Sequence, residues 1–294
     1  MSLEKITATL KLEKEGSLRV FLKRLSKNAK GLFGGILLFI VILVALLAPI
    51  IAPYDPNKIS SEERLNPPNL THFFGTDELG RDIFSRIVWG ARISLFVGLI
   101  SVTIALGGGL ILGLLAGYYR RYVDEFISRI VDILLSFPAI LLALLIVTVL
   151  GPSIPNIALT VGIIYMPQFA RIVRAGALSV REKDFVQAAI AAGDGDLRIM
   201  IVEILPNTLA PLIVQSSITF AFAILTEAAL SFLGLGVPPP HPAWGSMLYD
   251  ARGYMEIAPW MTMFPGFAIF LTVLAFNMFG DGLRDILDPR LRID

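Results

Sequence analysis

Few side chains in this 294-residue sequence are placed for chemistry. Glu227 is the most conspicuous, a carboxylate well inside the apolar run Leu225-Thr226-Glu227-Ala228-Ala229-Leu230-Ser231. A charge there is costly in hydrocarbon, so it must face protein or water. It either touches a passing solute or gates its path, or it holds helices together by hydrogen bonds; the structural role is the expectation. As a proton or cation site it would suit a secondary transporter driven by an ion gradient, but such carriers are built from inverted repeats, and no convincing ones are visible. His72 and His241 both fall in proline-rich stretches read as solvated loops. Cysteine is absent, which removes disulfide, thiolate and redox chemistry. No Gly-x4-Gly-Lys-Ser/Thr loop is present to cradle a nucleotide, and no nucleophile–base or metal-ligand set recurs at helical spacing. An enzyme is therefore not expected, and neither a metal nor a cofactor is assigned to this chain.

The elements around these residues are apolar. Hydrophobic residues make up 55% of the chain and charged residues 17%, with a mean hydropathy of +0.73; soluble domains carry about 25% charge. The expected fold is all-α and polytopic, with six membrane helices. A net charge of +1 gives no electrostatic case for nucleic acid. Spans are read at Gly31 to Ala52, Ile93 to Tyr119, Phe126 to Leu150, Ile157 to Leu178, Thr208 to Leu235 and Trp260 to Leu283, each near the 20 or so residues that cross a bilayer. Lysine and arginine number 19 on the side of the termini and 6 on the other. That asymmetry puts both termini in the cytoplasm. The layout is a basic N-terminus over 1–30, a first span with its outer loop over 31–92, a core over 93–283 and a C-terminus over 284–294. Within the core lie an inner insert, 179–207, and an outer loop, 236–259. In the N-terminus, Leu18, Phe21, Leu22 and Leu25 share a helical face ringed by basic residues, so it lies on the membrane surface as a helix or forms a disordered basic tail.

The insert is the most informative stretch. Phe185-Val186-Gln187-Ala188-Ala189-Ile190-Ala191-Ala192-Gly193 runs through Leu197 to Glu203-Ile204-Leu205-Pro206. It reads as a short helix, a glycine turn and a second helix. Asp184 is the expected N-cap with Gln187 completing a capping box. Gly193 suits a left-handed terminator, Asp196 would cap the second helix and Pro206 would limit it. The alanines leave little bulk, so another protein's surface could approach the backbone. Ala105, Gly109, Gly113 and Gly117 form a small-residue stripe for close packing, within the subunit or against a partner. Pro138, Pro167 and Pro265 fall inside spans, where they kink helices; such kinks serve gating in some bundles and are inert in others. Asp132, Arg171 and Arg174 read as interfacial charges. In the outer loop, Thr76 or Asp77 would cap a helix carrying an Asp82–Arg86 pair, with Trp89 at the interface. Trp244 and Trp260 would bracket a segment along the outer interface.

The insert resembles the cytoplasmic loop by which ABC importer permeases dock on their ATPase. Gln187-Ala188-Ala189, Gly193 and Glu203-Ile204-Leu205-Pro206 match its Glu-Ala-Ala, Gly and His-x-Leu-Pro, with Gln for Glu and Glu for His. A second resemblance is longer. Gly75-Thr76-Asp77-Glu78-Leu79-Gly80-Arg81-Asp82, then Gly90-Ala91-Arg92-Ile93-Ser94-Leu95, Glu227 through Gly236 with Trp244-Gly245, and Gly280-Asp281-Gly282-Leu283-Arg284-Asp285-Ile286-Leu287-Asp288-Pro289 are similar to the peptide (dipeptide/oligopeptide/nickel) permease subfamily, in its second-subunit branch. The resemblance implies a type I importer permease fold and an alternating-access path for peptides or related solutes. It implies a homologous second permease, two ATPases that carry ATP and Mg, and an extracytoplasmic binding protein. Phe185, Gln187, Ala188, Ala189, Ala192, Gly193 and Leu197 would couple to the ATPase, with Glu227 and Pro167 on the path or in helix packing.

Overall fold

The computed structural model describes residues 28–287; the basic N-terminal face and the Asp288-Pro289 turn lie outside them. The described residues are helical, without a strand. Helix α1 covers Ala29–Leu46 and the short α2 Ala48–Ile51; α3 runs Ile83–Tyr119, α4 Arg121–Ser136, α5 Ala139–Leu150 and α6 Ile154–Arg181. Then follow α7 (Asp184–Ala191), α8 (Asp196–Arg198), α9 (Leu209–Phe232), α10 (Trp244–Ala251) and α11 (Trp260–Leu287). Five helices among the described residues are long and apolar enough to cross a membrane, and the α4–α5 pair makes a sixth span if taken together.

At that pair the kink expected from Pro138 is a full break. Arg121–Ser136 and Ala139–Leu150 are bent by 96°. Pro138 explains the break: a residue before proline is driven out of the helical region, and Phe137 is extended at φ −90°, ψ 138°. The elbow lets the two arms do different work. α4 is amphipathic, burying Ile127 and Val131 against Ala116 and Ala170, whereas α5 is apolar throughout. Pro167 and Pro265, by contrast, lie within unbroken helices.

The deepest packing is α3 against α6, and the small-residue stripe is its cause. A Cβ on Gly113 would lie 2.5 Å from Val173 Cβ, one on Gly117 would lie 2.5 Å from Ala177 Cβ, and one on Gly109 would overlap Phe169 Cβ. The stripe therefore packs inside the subunit. α1 leans on α11 in the same way, Gly34 meeting the Met278–Phe279 backbone and Gly31 meeting Gly282. Two ion pairs fasten α4 to α6: Arg174 Nη2 donates to Asp124 Oδ2 at 2.7 Å, and Arg171 Nη2 to Asp132 Oδ1 at 2.6 Å. These charges, read as interfacial, are paired across helices; the Arg171 pair is exposed on both sides and adds little.

At the end of the bundle opposite the insert, the loop 52–82 folds back on the helices. Asp82, not Thr76 or Asp77, caps α3, accepting from Ser85 N at 2.7 Å. The expected Asp82–Arg86 pair does not form. Asp82 lies 2.8 Å from His72 Nδ1, and Arg86 faces Asp77 and Asp250. His72 is buried rather than solvated, with Glu63 on its other nitrogen. Both indoles are tied to the protein, Trp244 Nε1 donating to Ile87 O and Trp260 Nε1 to Thr76 O.

Candidate docking insert and buried carboxylate

The insert is built on a small apolar base. Val186, Ile199, Met200 and Ile204 pack against Tyr118 of α3 and Ala177 of α6. Tyr118 Oη donates to Asp196 Oδ1 at 2.8 Å, Arg181 lies over the Tyr118 ring, and Arg120 pairs with Glu182. Asp196 is thus spent on Tyr118 instead of capping a helix; Gly195 occupies the cap position. At the start of α7 the cap is Lys183 with no side-chain bond. Asp184 is the first helical residue, where its charge favours the helix dipole. Gln187 completes no capping box, because its Nε2 donates to Arg181 O at 2.8 Å.

The glycine turn is as read from sequence. Gly193 has φ +82°, Gly193 N donates to Ile190 O and Asp194 N donates to Ala189 O. Those two bonds make a Schellman closure. Pro206 does not end the second helix. The chain passes from α8 through a π-helical stretch, Ile199–Ile204, and a 3-10 turn, Leu205–Thr208, directly into α9. The wider π turn leaves room for a proline and its missing donor without a break. One helical column therefore runs Asp196–Phe232.

α7 presents two faces. Val186 is fully buried and Ala189 is half-buried against the base. Phe185, Ala188 and Ala192, at i, i+3 and i+7, are exposed on the other side, with Ile190, Gln187 and Leu197 also exposed. Ala189 is therefore a spacer on the inner side. A flat, alanine-lined surface flanked by Phe185 and Leu197 has no partner among the described residues.

Glu227 lies elsewhere, fully buried in α9. Ser231 Oγ donates to Glu227 Oε1 at 2.8 Å, and Ser94 Oγ of α3 lies 3.4 Å from Oε2. Ser231 Oγ also meets Val237 N at 3.4 Å, where the outer loop leaves α9, and it lines a cavity of about 260 Å³ with Arg81, Arg86, Tyr249 and Asp250. The carboxylate thus ties α3, α9 and the outer loop together. Pro167 is buried in α6. Beside it are polar pairs that sequence reading passed over: Tyr165 Oη with Thr226 Oγ1 at 2.8 Å, and Gln215 Nε2 donating to Gln168 Oε1 at 3.1 Å. Glutamines inside apolar helices were the available signal.

Above that cavity the outer loop concentrates charge. Arg81 Nε donates to Asp77 Oδ2 at 2.6 Å and Nη2 to Glu78 Oε1 at 3.0 Å, with Asp250 Oδ2 at 3.4 Å. Glu78 Oε2 is buried without a partner among the described residues. Burial, and then the neighbouring Asp77 carboxylate, push Glu78 up; burial likewise pushes Asp250 up against the pull of Arg81 and Arg86. No cluster of metal-ligating side chains occurs among the described residues.

Residues 109–293 match the family described as binding-protein-dependent transport system inner membrane component, and residues 17–68 match the N-terminal TM domain of oligopeptide transport permease C. The chain is 51% identical to the dipeptide transport system permease protein of Alkalihalophilus pseudofirmus, covering 92% of this chain and 89% of the relative. It is 43% identical to the glutathione transport system permease protein of Pectobacterium atrosepticum, over 97% and 96% of the two chains. An inward-facing structure of the MetNI methionine ABC transporter shares the fold, with a TM-score of 0.59 at 20% identity over 70% of this chain and 98% of that one. The chain belongs to the family of inner membrane components of binding-protein-dependent transport systems: it is a multi-pass membrane permease subunit of an ABC importer, a transporter component and not an enzyme.

Proposed function

We propose that the chain forms half of the translocation path for peptides or closely related solutes, driven by ATPase subunits that dock on the 179–207 insert. The observation that carries this reading is the uncovered face of α7: Phe185, Ala188 and Ala192 in line, closed by Gly193 and bordered by Leu197 and Gln187. An apolar face without bulk suits helix-in-groove docking. Ala189 supports that face from behind. The relatives named for dipeptides and glutathione support a peptide cargo. A homologous second permease completes the path, a binding protein delivers cargo at the loop end, and ATP and Mg reside in the ATPases. The basic residues at the insert end favour a cytoplasmic location for the insert and both termini.

ATP-driven closure of the motor displaces α7, and the column Asp196–Phe232 carries the movement into the span that holds Glu227. Pro167, which supplies no N–H to the carbonyl one turn back, gives α6 a place to yield beside it. Coupling of this kind is reciprocal, so cargo-loaded binding protein raises ATP turnover. The test is Ala188→Arg in the complete transporter, reconstituted in vesicles. Uptake and cargo-stimulated ATP hydrolysis are expected to be lost while the two permeases still co-purify. Wild-type uptake by this variant, or uptake by an ion gradient without ATPase subunits, would overturn the reading.

A further inference from the structure

The last charge of α3 is Arg92; from Ile93 to Tyr119 there is none. Arg92 is exposed, and its guanidinium carbon lies 5.1 Å from the centroid of the Trp89 ring. Arg86, six residues earlier, is buried among Asp77 and Asp250. No carboxylate among the described residues comes within 4.0 Å of Arg92. A guanidinium at the edge of an apolar span lays its stem along apolar surface and holds its head at the interface, the level of lipid phosphates. Stacking on Trp89 uses a face of the guanidinium and leaves its in-plane N–H donors free.

A cavity of about 410 Å³ begins at Arg92 and runs between α1 and α3. Its floor is the stacked pair Phe220–Phe276, with centroids 4.1 Å apart. Ile42 and Leu46 form one wall, Phe96 and Leu99 the other. From Arg92 to Leu99 the helix descends roughly 10 Å, most of the depth of one leaflet, which is about 15 Å. A polar head with an apolar slot directly below it is the shape of one lipid.

We propose that this groove holds an anionic phospholipid, its phosphate on the in-plane donors of Arg92 and one acyl chain between α1 and α3, in the leaflet at the loop end of the bundle. Charge complementarity selects this occupant: guanidinium takes phosphate in a bidentate fork. A helix of a partner subunit would need a carboxylate at the same depth to serve equally. The lipid would brace α1 against α3 where the two helices splay.

The test is native mass spectrometry of the complete transporter released from nanodiscs that contain phosphatidylglycerol and phosphatidylcholine. Wild type is expected to retain phosphatidylglycerol selectively. Arg92→Gln, at an exposed site, is expected to keep its fold and uptake and to retain roughly tenfold less. Ile42→Trp, which fills the slot and leaves Arg92 intact, is expected to lower retention as well. Millimolar inorganic phosphate is expected not to displace the lipid. Equal retention by Arg92→Gln, displacement by free phosphate, or a partner helix seated in the groove would each overturn the proposal.

Discussion

Replacing Gly193 by alanine isolates the geometry of the docking turn from its contacts. At φ +82° an L-residue is strained, yet a Cβ placed there meets nothing within 4 Å. The cost is therefore conformational, roughly 1–2 kcal/mol. That is a factor of about 5–30 in the population of the closed turn, whose two Schellman bonds fix the end of α7. Gly151 provides the control: φ +83° with ψ 152°, a region that essentially only glycine enters, and equally empty surroundings, but in the α5–α6 connection at the other end of the bundle. In vesicles holding the complete transporter, cargo moved per ATP hydrolysed is expected to fall several-fold for Gly193→Ala. Gly193→Asn should fall between, since asparagine tolerates the left-handed region. Gly151→Ala is expected to lower thermal stability at least as much, with the coupling ratio unchanged. Equal coupling in Gly193→Ala and Gly151→Ala would refute the argument that this turn positions the docking helix.

Three further outcomes follow from packing and charge. Gly109→Ala forces a methyl against Phe169 Cβ and Ala170 N; it should cost about 1–3 kcal/mol of stability, whereas Gly107→Ala, facing open space, should be neutral or stabilising in the same thermal melt. Glu227→Gln keeps an acceptor for Ser231 and should transport normally, while Glu227→Leu strands both serine hydroxyls at about 1–3 kcal/mol; a stable but transport-dead Glu227→Gln would instead assign the carboxylate a proton or gating role. Glu78 is raised by burial, so its contribution to loop stability is complete below the unfolded value of about 4.3 and is lost as pH rises through the higher folded value. Glu78→Gln should therefore match or exceed wild-type stability at neutral pH and lessen the fall in melting temperature as pH rises above about 4; Asp250, shifted the same way, keeps that fall from vanishing.

The membrane helices were legible because apolar runs of span length have few alternatives in lipid. The small-residue stripe and the Gly193 terminator were legible because close approach and positive φ both favour glycine. Several of the failures share a cause: the deciding partner lies on another element. Asp196 accepts from the Tyr118 hydroxyl instead of capping a helix, and Arg86 turns to Asp77 and Asp250 instead of Asp82, so rules of local spacing gave both the wrong partners. Pro138 marked the place of the elbow, but not its 96° size, because a proline alone does not fix how far the helix turns. The inward side of Ala189 was equally hidden, since four alanines in nine residues carry no periodic contrast between faces.

The uninterrupted passage from the insert into α9 constrains how this chain tolerates changes of length. Each residue added to or removed from 199–208 would turn the docking surface by about 100° around the axis of the span, so phase rather than size is what the segment must preserve. The π-helical turn at Ile199–Ile204 is the natural place to absorb a single extra residue, because a widened turn already accommodates an irregular count. The loop before Asp82, which joins its helices through turns and a 3-10 segment at Ser61–Glu63, faces no such rule of phase.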